Sequence, residues 1–139
     1  RSYATTGDVY VYARLNGKTG TEYGTAGFIL LDSQSSILRY NNAEDTEAFG
    51  NAGTMAASDT GAGAFSAATM MIPNYTSTTI GSKGLIIQNS VWGENTSTYW
   101  IMQAMGDCTT SSAITQITIY PESGSSFVAG TSYYLAGWE

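Results

Sequence analysis

The chain has 139 residues, only 12% of them charged, and a formal net charge of −6. Nucleic acids and anionic membranes are bound through clustered Lys and Arg, and a membrane-spanning helix needs about 18 apolar residues. Because the five basic residues are scattered and the apolar runs are short, the sequence disfavours nucleic-acid binding and membrane insertion.

The first predicted element is a strand with two different faces. From Val9 to Leu15, aliphatic residues alternate with Tyr10, Tyr12 and Arg14, which predicts a half-buried strand because successive side chains of a strand point to opposite sides. Asn16-Gly17 follows directly. It predicts a tight turn, since both residues tolerate positive φ.

The middle of the chain predicts further strands and one long loop. Runs of strand-forming residues lie at 28–31, 37–41, 67–72, 85–92 and 98–105. Residues 42–64 contain four glycines and an acidic cluster of Glu44, Asp45 and Glu47. They are predicted to form a long surface loop. Residues 93–96 predict the turn of a hairpin between the last two of these strands.

The C-terminal part predicts two more strands around a turn-rich link. Thr115, Ile117 and Ile119 alternate with polar or aromatic residues, and Pro121 ends the run because it has no backbone N–H to donate. Residues 133–135 are predicted to begin a closing strand. About eight strands at regular spacing are typical of an all-β antiparallel sandwich. We therefore expect a single β-sandwich domain over residues 1–139, with a jelly roll as the favoured topology.

Two segments in the second half of the chain, which occur in a fixed order, carry a family resemblance. Ala113-Ile114-Thr115-x-Ile117 is followed by Gly-x-x-Phe-x-x-Gly-Thr-Ser at 124–132 and by Tyr-Leu-Ala-Gly at 134–137. Upstream, Ile-Pro-Asn-Tyr-Thr-Ser-Thr-Thr at 72–79 precedes Lys83. Together these segments resemble accessory proteins of tailed-bacteriophage virions, although this chain has Leu-Ala-Gly-Trp where that pattern ends in Leu-Tyr-Gly-Ile.

The resemblance implies a place and a role. It implies a capsid decoration protein or a tail or fibre-tip domain on the virion surface, made in the cytoplasm of the host bacterium. It also implies a homotrimer that contacts other capsid or tail proteins. The expected function is structural and adhesive, through self-association rather than catalysis.

The residue types that most enzymes and zinc sites use are scarce. The chain has no His, and its one cysteine, Cys108, can form no intrachain disulfide and is predicted to be a buried, unreactive thiol. Asp32, Asp45 or Glu94 could supply the carboxylates of a glycosidase, and the acidic residues at 44–47 could ligate calcium. No carboxylates pair on adjacent predicted strands, and the acidic spacing differs from an EF-hand loop. We therefore expect no enzyme activity, metal or cofactor.

Aromatic residues indicate an alternative function. Tyr10 and Tyr12 share the outward face of the first predicted strand, Tyr99 and Trp100 are adjacent and point to opposite faces, and Trp92 ends the preceding strand. Such side chains can stack on a sugar ring, or they can fill a core or a subunit interface. These five residues are candidate glycan or interface contacts. The alternative is a carbohydrate-binding module or a receptor-binding tip that recognises host surface glycans.

Overall fold

A computed structural model describes residues 9–31, 37–45, 54–55, 65–93, 98–121, 126–127 and 129–138. Within these ranges every regular element is a β-strand, and every strand pairing is antiparallel. The predicted all-β antiparallel class is therefore confirmed. In the same ranges, no helix is long and apolar enough to cross a membrane.

The strands form two sheets. Their bounds are β1 Val9–Leu15, β2 Tyr23–Leu31, β3 Leu38–Asp45, β4 Thr54–Met55, β5 Phe65–Met71, β6 Lys83–Gly93, β7 Thr98–Cys108 and β8 Ile117–Pro121. The smaller sheet has the order β4-β1-β8, and the larger has the order β3-β2-β7-β6-β5. The predicted hairpin is found as β6 and β7, which pair from Gly93 opposite Thr98 to Lys83 opposite Cys108. The sandwich, the jelly roll and the total of about eight strands stay predictions.

One hydrophobic core draws on both sheets. Its buried members are Ala13, Leu15, Tyr23, Leu85, Ile87, Met102, Ala104, Cys108 and Ile114. Most of them come from alternate positions of β1, β6 and β7, as the period of two in these strands predicts, whereas Tyr23 begins β2 and Ile114 precedes β8. Burying each large aliphatic side chain contributes about 1.5–3 kcal/mol, so this shared core is what holds the two sheets against each other.

Several strands are longer than the sequence predicted, and β2 and β3 differ most. β2 begins at Tyr23 rather than at residue 28, because it lies between β3 and β7 and pairs with both. Its small residues are needed there, since a Cβ atom on Gly27 would collide with the backbone of β7. β3 runs on to Asp45, four residues into the predicted loop at 42–64, and Thr54–Met55 also forms a short strand. The rest of that predicted loop lies outside the described residues.

The predicted closing strand at the C-terminus is wrong. Residues 131–138 belong to no strand, and the side chains of Tyr134, Leu135 and Trp138 are 93%, 80% and 77% exposed. The physical reason is that strand-forming residues make a strand only where their backbone pairs with a neighbouring strand. Both described sheets form without residues 131–138, which pair with none of their strands.

Candidate interaction surfaces

The solvent side of the small sheet carries a cluster that we call the tyrosine patch, formed by Tyr12, Arg14 and Tyr120. The β1–β8 register places Tyr12 directly opposite Tyr120. Their ring centroids are 5.7 Å apart at an interplanar angle of 55°, and Cζ of Arg14 lies 4.9 Å from the Tyr120 centroid. All three side chains are half-buried. Such a cross-strand aromatic and cation–π group contributes about 1 kcal/mol to sheet pairing and still presents ring surface to solvent.

The larger sheet has two apolar sides. On the side facing the core, Leu85, Ile87 and Met102 are 1–2% exposed. At the alternating positions of β7, Ile101 and Met105 are 50% and 66% exposed. We call this second side the outer face, and its exposed large apolar side chains are Leu30, Ile37, Met71, Ile101 and Met105.

The strand register organises the outer face into rows. One row across the sheet reads Ala26, Met105, Ile86, Met71, each directly opposite the next. The neighbouring row reads Phe28, Gln103, Gln88, Thr69. An apolar stripe therefore runs beside an amide stripe, and both cross several strands that are distant in the sequence.

A groove lies at the β2–β3 end of the outer face. It has a volume of about 710 Å³, and its lining includes Phe28, Ile37, Arg39, Gln103 and Met105. Arg39 is exposed and has no ion-pair partner among the residues that the structure describes. The groove therefore offers apolar walls with the Arg39 guanidinium at its rim, a combination that suits an aromatic ring.

Asn16 joins the predicted tight turn to the start of β8. Asn16 and Gly17 both have positive φ, at 52° and 66°, which confirms the predicted turn. The Asn16 side chain donates from Nδ2 to the Ala113 carbonyl at 2.8 Å, and its Oδ1 accepts from the backbone N–H groups of Thr115 at 2.8 Å and Gln116 at 3.1 Å. One side chain thus fixes where the C-terminal segment meets β1.

The Lys83 side chain also joins two segments of the chain by hydrogen bonds. Its side chain is 1% exposed, and Nζ donates to the backbone carbonyls of Ile80 and Thr110, both at 3.2 Å. A buried ammonium must satisfy its donors within the protein. Lys83 therefore holds the segments before β6 and after β7 together, which is a structural role.

Tyr23 and Cys108 lie opposite each other inside the core. The Tyr23 hydroxyl accepts from the backbone N–H of Leu15 at 2.8 Å. Burial raises the pKa of Tyr23 to about 12 and also raises the pKa of the Cys108 thiol. Because the thiolate is the reactive form, this buried cysteine is held unreactive. The prediction that its thiol is buried is confirmed.

The five residues singled out from the sequence have different outcomes. Tyr12 lies in the tyrosine patch, together with Arg14 and Tyr120, which sequence reasoning did not select. The side chains of the other four lie outside the described part of the structure, so their proposed contacts stay predictions: Tyr10, Trp92, Tyr99 and Trp100. Their backbone register is described, and it places Trp92 directly opposite Tyr99.

The acidic residues considered for catalysis or calcium fall outside what is described. Asp32, Glu94 and the acidic residue Glu47 lie in segments outside the described ranges, as does the side chain of Asp45. Among the residues that are described, no group of three or more Asp, Glu, Cys or His side chains could hold a metal ion. The structure therefore does not test the glycosidase and calcium hypotheses.

Comparison with known proteins adds no relative. No protein-family model matches the chain, and neither curated proteins nor solved structures give a significant match. The resemblance to virion proteins rests on the sequence segments alone, so what it implies enters below as a proposal.

Proposed function

We propose that this chain is a non-enzymatic structural and adhesive protein on the surface of a tailed-phage virion, either a capsid decoration protein or a tail or fibre component. It would act by associating with copies of itself and with other virion proteins. Its fold would be a β-sandwich, with a jelly roll as the favoured topology, and the family resemblance favours a homotrimer.

The observation that carries the proposal is the outer face of the larger sheet. Monomeric proteins rarely expose contiguous apolar patches beyond a few hundred Å², and larger patches mark interaction sites. Here Ile101 and Met105 on the central strand β7 are at least half exposed. Ile86 and Met71 continue the apolar row of Met105 to the edge strand β5. Such a face favours permanent contact with protein, because burying apolar area is the main driving force for association.

Particles purified from the source of this sequence provide the test. Mass spectrometry should find the chain as a stoichiometric particle component, and an antibody against it should label a regular position on the head or the tail. Light scattering of the isolated chain should give a mass above that of one copy. Absence of the chain from purified particles would overturn the virion role, and a stable monomer at high concentration would overturn self-association.

A second candidate function is the recognition of host surface glycans, and the tyrosine patch is the observation that favours it. Tyr12 and Tyr120 expose ring surface on the solvent side of the small sheet, and Arg14 lies over the Tyr120 ring. Aromatic rings can stack on the apolar side of a sugar. The patch therefore favours a glycan ligand.

A glycan array probed with the protein multimerised on beads tests this second function. We expect binding to one or more glycans that is lost in Tyr12→Ala and Tyr120→Ala and kept in Ile80→Ala, a change at an exposed position away from the patch. An array without hits at high avidity would contradict glycan recognition. So would hits that both tyrosine variants retain.

A further inference from the structure

The C-terminal tail, residues 131–138, is a second exposed apolar surface. It reads Thr-Ser-Tyr-Tyr-Leu-Ala-Gly-Trp and carries no charged side chain. Tyr134, Leu135 and Trp138 are 93%, 80% and 77% exposed. The chain thus presents two surfaces that water solvates poorly, the outer face and this tail.

The tail of a given copy is held away from that copy's own outer face. A Cβ atom at Gly137 would come 3.0 Å from the Tyr75 hydroxyl, so the tail runs directly beside Tyr75. The Tyr75 side chain packs against the core, and its backbone carbonyl accepts from Ile114 at 2.8 Å. The core lies on the inner side of the larger sheet, opposite the outer face, so the tail lies away from the outer face of its own copy.

We propose that the tail of one copy binds across the outer face of the next copy, with an aromatic side chain of the tail in the groove beside Arg39. This inference rests on the self-association of the proposed function and names the two surfaces that meet. The groove has apolar walls and one guanidinium, and Trp138 supplies the ring that best receives a guanidinium. Leu135, three positions before Trp138, would pack against the apolar stripe that contains Met105.

The dimensions of the two surfaces agree. An extended segment of eight residues reaches at most about 27 Å, and the five strands of the larger sheet span about 19 Å from first to last. The apolar rows extend roughly 14 Å along the strands. Because about half of each of its five large apolar side chains is exposed, the outer face offers on the order of 500 Å² of apolar surface, so a covered face buries about 1,000 Å² in total, the lower limit for a specific interface.

The alternative use of the same face is symmetric packing of two outer faces. That arrangement would cover Met105 and Ile101 but would leave Leu135 and Trp138 in water. The tail-on-face contact covers both apolar surfaces with one interaction, and the observations therefore favour it. Because it joins two different surfaces, it is a heterologous contact that repeats from copy to copy and can close into a ring.

Two full-length variants and their mixture test the inference. The tail variant, Leu135→Ser with Trp138→Ser, keeps the outer face, and the face variant, Ile101→Glu with Met105→Glu, keeps the tail. Native mass spectrometry and sedimentation should find the wild type assembled and each variant monomeric. The mixture should form a one-to-one pair, because one intact tail still meets one intact face. Ile80→Ser, another exposed isoleucine, should assemble like the wild type.

The possible failures are distinguishable. A tail variant that assembles like the wild type would overturn the tail-on-face contact while leaving self-association in place. A mixture that stays monomeric would also overturn it, because an intact tail and an intact face would then fail to pair. A wild type that is monomeric at all concentrations would overturn this inference and the proposed self-association together.

A peptide gives an independent measurement. A fluorescently labelled peptide of residues 131–138 should bind the tail variant with one-to-one stoichiometry in anisotropy titrations. Its affinity should fall at least tenfold for the face variant, and a peptide with Ser at positions 135 and 138 should not bind. Equal affinity for the tail and face variants would overturn the assignment of the outer face, and circular dichroism of both variants controls for folding.

Discussion

The two sides of the larger sheet have similar composition and opposite environments. On the inner side, Ile87 and Met102 are buried against side chains of the small sheet, whereas on the outer side Ile101 and Met105 face solvent. The strands therefore do not follow the usual rule for an antiparallel sheet, in which one side is apolar and the other polar. The difference teaches that burial, and not residue type alone, distinguishes the two sides; under the proposed function the outer side would be covered by a second protein.

The largest difference between the two sides should appear on truncation of an inner residue. Ile87→Ala removes a fully buried side chain from the centre of the core, and such changes lower the free energy of unfolding by about 2–5 kcal/mol. Urea denaturation followed by circular dichroism measures the loss. A decrease below about 1 kcal/mol would mean that the inner side is no better packed than the outer side.

The pH dependence of stability should reflect the buried hydroxyl on the inner side. Burial raises the pKa of Tyr23 from 10.0 to about 12, so the folded state keeps its proton where the unfolded chain releases it. This contribution is fully present below pH 10 and is lost between pH 10 and 12, by up to about 3 kcal/mol. Denaturation midpoints should therefore fall more steeply across this range in the wild type than in Tyr23→Phe. Equal slopes in the wild type and in Tyr23→Phe would contradict the raised pKa of Tyr23.

Removal of the Asn16 clamp should have an intermediate effect at the edge of the core. Asn16→Gly keeps the positive φ of the turn but removes three hydrogen bonds to the segment that leads into β8. We expect the free energy of unfolding to fall by about 1–3 kcal/mol, measured by thermal and urea denaturation. Thr118→Gly, an exposed change in β8 itself, is a control for the glycine effect. A loss no larger than in that control would count against the clamp.

The smallest effect should come from the outer face. Ile101→Ala at protein concentrations where the chain is monomeric should change the free energy of unfolding by less than about 0.5 kcal/mol. The same variant at high concentration should assemble less than the wild type, because it removes apolar area from the proposed interface. If the monomer loses as much stability as in Ile87→Ala, the two sides of the sheet would be equivalent and the comparison would fail.

Local patterns predicted the elements well where a strand alternates or a turn needs a special residue. The strand at Val9–Leu15 is found with the predicted bounds, the turn at Asn16-Gly17 has positive φ at both residues, and the β6–β7 hairpin pairs as expected. Prediction failed at β2, where glycines mask a strand that two neighbours stabilise. It also failed at residues 133–135, where aromatic residues suggested a strand but the backbone pairs with none of the described strands.

The sequence by itself determined the all-β class, the burial of Ala13 and Leu15 on one side of β1 and the lack of histidine, because side-chain alternation and residue type are local properties. Only the tertiary structure decided which strands are neighbours. The register that joins Tyr12 to Tyr120, and the row from Ala26 through Met105 to Met71, bring together residues far apart in the chain. Strand order depends on packing around a shared core, and for that reason the outer face could not be recognised from the sequence.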